Sequence, residues 1–298
     1  MSGRRRREAL VDLWLAGPAT AAMLALIFLP VAVVAVLSFT DYQIGARGFR
    51  WVGWENYRVL LTDPTARRAV TNTILYAAVV IPTSIVLGLL VALGLHGLAQ
   101  RAPRVAAVLR AAYFLPVAAT LVAMAVAWQM ILHPNLGLLN QSLALFGVRG
   151  AAWLSDRGLV IWTLAMIGVW QSVGYNMVLF LAGLSAIPAA LYDAAEVDGA
   201  ERGWERFWTV TWPMLGPTTL FVAVITATSA FRVFETVATL TRGGPAFASD
   251  VLVYALYREG FVYFKAGYAS AITMVFFALV LAFTALKFSL LDRRVHYR

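Results

Sequence analysis

Six long apolar stretches dominate this chain, near residues 13–39, 72–98, 105–132, 159–184, 213–234 and 268–290. Each reaches the roughly 20 residues that a helix needs to cross a bilayer's hydrocarbon, and the connections between them are shorter than a folded domain. Sixty-one per cent of the 298 residues are hydrophobic and only 13% are charged, against about a quarter in a soluble domain. A surface so poor in charge needs lipid as part of its solvent. The expected fold class is all-α: a polytopic membrane protein with six transmembrane helices and both termini on one side.

The basic balance, net +9 with a pI of 10.2, does not point to nucleic acid, because the arginines sit between apolar runs and at the ends and form no continuous basic face. They orient the chain instead. Thirteen of the 24 Lys and Arg fall on the side of the termini, among them Arg4 to Arg7, Arg101, Arg104, Arg110, Arg202, Arg206 and Lys287. The opposite side spreads its share over much longer loops, so basic density puts both termini in the cytoplasm. The expected layout is a cytoplasmic basic segment at 1–12, a six-helix domain at 13–291 and a cytoplasmic tail at 292–298. The first apolar run is too long for a cleaved signal's core of 7–15 residues and reads as an uncleaved span kinked near Pro30.

What the spans lack narrows the function. The second, fourth and sixth carry no central Asp, Glu, Lys or Arg, whereas proton relays and ion sites need such groups. No half of the sequence repeats the other, which disfavours an inverted-repeat carrier. No GxxxxGK[ST] run is present, so the chain lacks the loop that cradles ATP phosphates. Cysteine is absent, and His96, His133 and His296 stand apart from acidic residues, so no metal or thiol chemistry is expected. An ion-gradient-driven secondary carrier is the alternative from another class, and a membrane-embedded enzyme a more distant one, lacking a nucleophile–base or metal constellation.

Between the fourth and fifth spans the composition changes. Residues 188–213 are rich in Ala and charge, with Pro188 suited to a first helical position, Asp193 near the positive amino-terminal end and Gly199 suited to a helix-ending left-handed turn. A second short helix is expected from Arg202 to Thr211, stopping at Pro213. The product is a helix–turn–helix at the cytoplasmic face, shaped to enter a groove on a soluble partner.

On these residues the chain resembles the permease subunits of binding-protein-dependent ABC importers. Asp193, Ala194, Ala195, Asp198, Gly199, Ala200 and Phe207, with Tyr192, Pro213 and Pro217, match the EAA loop of that family, Asp193 standing where the family usually has Glu. The likeness extends over nearly the whole chain, through Trp51-Val52-Gly53-Trp54, Asn135 to Asn140, Leu181 to Leu184 and Gly267 to Ala271. Leu240-Thr241-Arg242-Gly243-Gly244-Pro245 is similar to the first-position permease of maltose-type carbohydrate importers, and Tyr257 to Phe261 and the ending Arg293 to Arg298 to that of the glycerol-3-phosphate importer. The resemblance implies a heterodimer with a second permease, an ABC ATPase dimer docked at the EAA loop and an extracytoplasmic solute-binding protein, all at a bilayer. It implies no cofactor in this chain, ATP and Mg being held by the ATPase, and a sugar or sugar-like polar solute, glycerol-3-phosphate and glycerophosphodiesters included.

Polar side chains in an apolar span are costly unless they face a cavity or pair. The fourth span carries Gln171, Ser172, Tyr175 and Asn176; the fifth carries Thr228, Ser229 and Arg232. Gln171 with Tyr175 and Thr228 with Arg232 are four apart and share a helix face. The resemblance places both stretches along the family's solute path, so Gln171, Ser172, Tyr175, Thr228, Ser229 and Arg232 are candidate solute contacts. Bonding between helices is the competing reading, and for Arg232 a pair with Glu235 three residues on.

Overall fold

The computed structural model describes residues 14, 16–200 and 203–291, without the side chains of 121 and 286–291. The segments expected at 1–12 and 292–298, and Arg202, lie outside them. Among the described residues the fold is helical, with one isolated antiparallel bridge, Thr40 to Trp51, as its only extended pairing. Five helices are long and apolar enough to cross a membrane, six if a pair of shorter helices bent at a break counts as one span. The chain divides into two compact units, residues 1–66 with 255–278, and residues 67–254 with 279–298.

The first unit holds α1, Ala16–Leu37, whose apolar window is exposed along its length. A π turn at Leu24–Phe28 precedes Pro30. Proline has no N–H to donate and its ring crowds the preceding turn, and the widened turn accommodates it where a kink was expected. Beyond α1, Asn56 donates to the carbonyls of Ser38 and Thr40 at 2.9 and 2.8 Å. The Arg50 amide and guanidinium both donate to Asp41 at 2.6 and 2.8 Å, which closes the loop between the strand-like residues. These two bonds hold the Asp41 carboxyl below its ordinary pKa. Gly267 lies against the Thr40 backbone with no room for a Cβ.

The second unit is a helix bundle. The helix α2, Glu55–Thr62, still belongs to the first unit; α3, Pro64–Arg101, nearly all of it in the second, is longer than the expected 72–98. Only Ala102 separates it from α4, Pro103–Ala118. The third apolar run departs from the continuous helix expected at 105–132. It breaks at Ala119 and Thr120, both in extended conformation, and resumes as α5, Leu121–Ile131, with the two pieces bent by 105°. Extended dihedrals cannot continue the i to i−4 ladder, which is the physical reason for the break.

After α6, Leu138–Leu145, the side chain of Asn140 pins the following loop: it donates to the carbonyls of Pro134 and Ala151 and accepts from the Ala151 amide and the Trp153 indole. The central helix is α7, Val160–Ser185. Its glycines let neighbours approach closely: Gly168 meets the Tyr76 ring of α3, Gly174 the backbone of Tyr113 in α4, and Gly183 Thr218. Small residues permit this contact where lipid supplies no hydrophobic drive between helices. Asn176, 1% exposed, donates to Ser84 at 3.3 Å and accepts from Thr226 at 2.9 Å, tying three helices together.

The 188–213 segment comprises α8, Ala189–Val197, and α9, a helix at Gly203–Arg206 continued by a π turn at Phe207–Thr211 and by Trp212–Met214. Then come α10, Gly216–Phe231; α11, Glu235–Leu240; α12, Leu252–Tyr257; and α13, Ala266–Leu291, whose last turns belong to this unit. The loop after α11 runs through positive φ at Arg242, Gly243, Ala246 and Phe247. It is fastened to α3 by Asn72, which donates to the carbonyls of Ala248 and Asp250, and by Thr73, which accepts from the Leu252 amide.

Candidate coupling loop and solute path

The 188–213 segment folds as two short helices joined by a tight turn, and the bonds in that turn are specific. Gly199 has φ +93°. Its amide donates to Glu196 at 3.1 Å, and the next amide, Ala200, reaches back to Ala195 at 2.8 Å. Together these are the two bonds of a Schellman ending, in which a residue with positive φ satisfies carbonyls the helix leaves open. The accompanying apolar contact is also present, since Ala195 and Ala200 are both buried in one core cluster with Leu184, Ile187, Val210 and Leu215.

Side-chain bonds then fix the second helix against the first. Arg206 pairs with Glu196 at 2.9 Å and donates to the Ala200 carbonyl at 3.0 Å. The hydroxyls of Tyr192 and Thr211 lie 3.0 Å apart. Tyr192 and Phe207 pack on the core cluster from its edge. Of the residues singled out from the sequence, Ala195, Ala200 and Phe207 pack on the core cluster, while Asp193, Ala194, Asp198 and the turn residue Gly199 are exposed.

Three local expectations need correction. Helix α8 begins at Ala189, and Pro188 is its cap with ψ 132°, because the residue before the first helical turn keeps extended dihedrals. Asp193 is the fifth of nine helical residues, and no acidic residue occupies the first turn, so the helix dipole is not what holds it. Helix α9 does not stop at Pro213. The Trp212 amide bonds to Phe207 five residues back, and this π turn widens the coil enough to admit a proline ring that an α-turn would reject.

The polar groups of the spans divide into two sets. Gln171 lines a small cavity with Met124, Ala125, Trp128, Ile167, Trp170, Thr236 and Leu240. There Trp128 and Trp170 meet edge to face at 5.3 Å. Tyr175, Thr228, Ser229 and Arg232 are exposed, and Ser172 is half-buried. Thr228 donates to the Val224 carbonyl within its own helix. No ion pair joins Arg232 to Glu235 among the described residues. Asn176, by contrast, is helix-to-helix glue. The sequence grouped it with its neighbours because they share a polar character; only the packing of Ser84 and Thr226 around it separates them.

A family described as binding-protein-dependent transport system inner membrane component matches residues 64–297. The chain belongs to that family. The permease is 33% identical over 248 residues, 83% of each chain, to the sn-glycerol-3-phosphate transport system permease protein UgpA of Agrobacterium fabrum. It is also 33% identical over 266 residues, 89% of its length and 90% of the relative's, to the probable ABC transporter permease protein YurN of Bacillus subtilis. Its fold is that of a solved bacterial ABC transporter involved in the import of the acidic polysaccharide alginate, with a TM-score of 0.83, 21% identity, and coverage of 98% of this chain and all of the other. The permease is thus a multi-pass membrane protein and a transport subunit, as its sequence led one to expect.

Proposed function

We propose that this permease is the transmembrane subunit of an ATP-driven importer for a sugar or sugar-like polar solute, and that residues 188–213 couple it to a separate ATPase. The observation that carries the reading is the coupling segment itself. Its turn and inter-helix bonds make one stiff piece with the core of the bundle, while Asp193, Ala194 and Asp198 remain exposed for a partner. A stiff element between an ATPase and the spans transmits closure as displacement. It favours one access state only if its contacts differ between the two.

In this reading a second, homologous permease completes the pathway, an ABC ATPase dimer holds ATP and Mg, and an extracytoplasmic solute-binding protein delivers the solute. Both termini face the cytoplasm. Solute contacts come from Gln171, Ser172, Tyr175, Thr228, Ser229 and Arg232, whose amides and hydroxyls suit sugar hydroxyl groups and whose guanidinium suits an anionic group. Relatives named for sn-glycerol-3-phosphate transport support a phosphorylated solute within this class. The test is solute- and binding-protein-stimulated ATP hydrolysis by the complex reconstituted in vesicles. The expected result is stimulation that is lost on Asp193→Lys together with co-purification of the ATPase. Uptake driven by an ion gradient without any ATPase would overturn the proposal.

A further inference from the structure

Helix α9 has a second exposed face that the coupling role does not use. Trp204, Trp208 and Trp212 are spaced by four and lie along one side, 69%, 49% and 40% exposed. Their rings form a continuous ladder: Trp204 to Trp208 at 5.4 Å and Trp208 to Trp212 at 6.0 Å. Val210, two residues from both Trp208 and Trp212 and so on the opposite side of the helix, is buried. None of the three indole N–H groups has a hydrogen-bond partner among the described residues. Three large exposed rings with donors unpaired within the chain suit surroundings that are apolar on one side and rich in acceptors on the other.

We propose that this ladder seats α9 in the cytoplasmic headgroup layer of the bilayer, so that the coupling loop is anchored to lipid as well as to protein. Continuity with the membrane domain favours lipid over a protein groove. Only Leu215 separates Met214 from α10, and the ladder of bonds runs through it, from Leu215 to Thr211 and from Thr219 to Leu215. Trp212 therefore sits within about 6 Å of the first residue of a crossing helix, at 1.5 Å rise per residue. Exposure of the rings falls steadily toward that helix. Tryptophan is enriched where an indole can bury its ring among acyl chains and offer its N–H to headgroups. The headgroup layer is about 5–8 Å deep on each side, while Trp204 and Trp212 lie about 12 Å apart along the helix. All three rings fit the layer only if α9 is inclined by about 50° or more to the membrane normal.

Because the chain has no cysteine, single substitutions W204C, W208C and W212C each carry one nitroxide label. The complex with its partner subunits is reconstituted in phosphatidylcholine–phosphatidylglycerol vesicles, and label collision with oxygen and with a water-soluble nickel chelate is measured. The expected result is a preference for oxygen at 212 and 208 over the same nitroxide on a freely dissolved peptide as the hydrated reference, decreasing toward 204. The same preference is expected with and without the ATPase, which keeps this outcome independent of the coupling role. Labels at 208 and 212 as open to nickel as the reference overturn the proposal. So does shielding from both reagents that appears only with the ATPase bound, which would assign the face to protein. If a cysteine variant fails to assemble, Trp→Phe at the same positions is read by quenching with lipids brominated near the headgroup. There the loss of the three indoles removes emission that the headgroup-brominated lipids quench in wild type, and unchanged quenchable emission refutes it.

Discussion

The turn at Gly199 permits a sharp test, because a Cβ added there meets nothing within 4 Å. The effect of Gly199→Ala is therefore the cost of φ +93° alone, with no clash mixed in. A left-handed conformation costs a residue with a Cβ about 1–2 kcal/mol, which shifts a local opening equilibrium by roughly 5–30-fold. The three amides at the turn, of Asp198, Gly199 and Ala200, are bonded at 3.0, 3.1 and 2.8 Å. Hydrogen exchange over a peptide spanning them, corrected for intrinsic rates, should quicken by that factor in the intact complex. Asn tolerates this region better than other residues, so Gly199→Asn should exchange more slowly than Gly199→Ala, and Gly199→Val fastest of all. Exchange in Gly199→Ala equal to wild type, or Asn as fast as Val, would refute the account of the turn. Uptake should fall in the same order if the turn transmits force.

Asn176→Ala removes two bonds between helices and should lower complex stability by about 1–2 kcal/mol, seen as reduced yield and earlier thermal aggregation with the solute affinity of surviving complex unchanged. Gln171→Ala and Tyr175→Ala should do the reverse, weakening uptake by about 0.5–1.5 kcal/mol per lost bond to a neutral solute with normal assembly. Arg232→Ala should weaken uptake of a phosphate-bearing solute by about 1.5–3 kcal/mol and that of a neutral sugar much less; competition uptake assays separate the two. The carboxyl of Asp41 has its folded pKa depressed by Arg50, so its contribution is present above the unfolded value and is lost as pH falls through the folded one. Proteolysis of the 41–50 loop should therefore rise below the ordinary carboxylate range in wild type and be independent of pH there in Asp41→Asn.

The spans were legible because a bilayer demands length and apolarity, and both are plain in the sequence. Five crossings follow those runs closely, from Ala16–Leu37 to Ala266–Ala285. The break at Ala119 and Thr120 was not legible, since neither residue carries a turn signal and Pro116 lies within the helix before it. In the coupling segment the positive φ of Gly199 was readable from the need for a helix stop. The extension of α9 through Pro213 was not, because a proline reads as a terminator unless the π turn ahead of it is known. The polar residues of α7 were readable as a set, but their sorting depends on partners 92 and 50 positions away, which no local pattern encodes.

The glycine contacts of α7 have a consequence for how such a permease changes over evolutionary time. Gly168, Gly174 and Gly183 press this helix against Tyr76, Tyr113 and Thr218, so it cannot slide or rotate without collision. Its remaining face, where Tyr175 is exposed and Gln171 borders a cavity, is thereby held like a fixed type-bed into which different letters can be set. If that face lines the solute path, as proposed, a substitution there changes the chemistry offered to a solute and leaves the interlocks untouched. Solute preference could then change by single replacements on that face, whereas Gly174, set against the Tyr113 backbone, has no room for even one added methyl group.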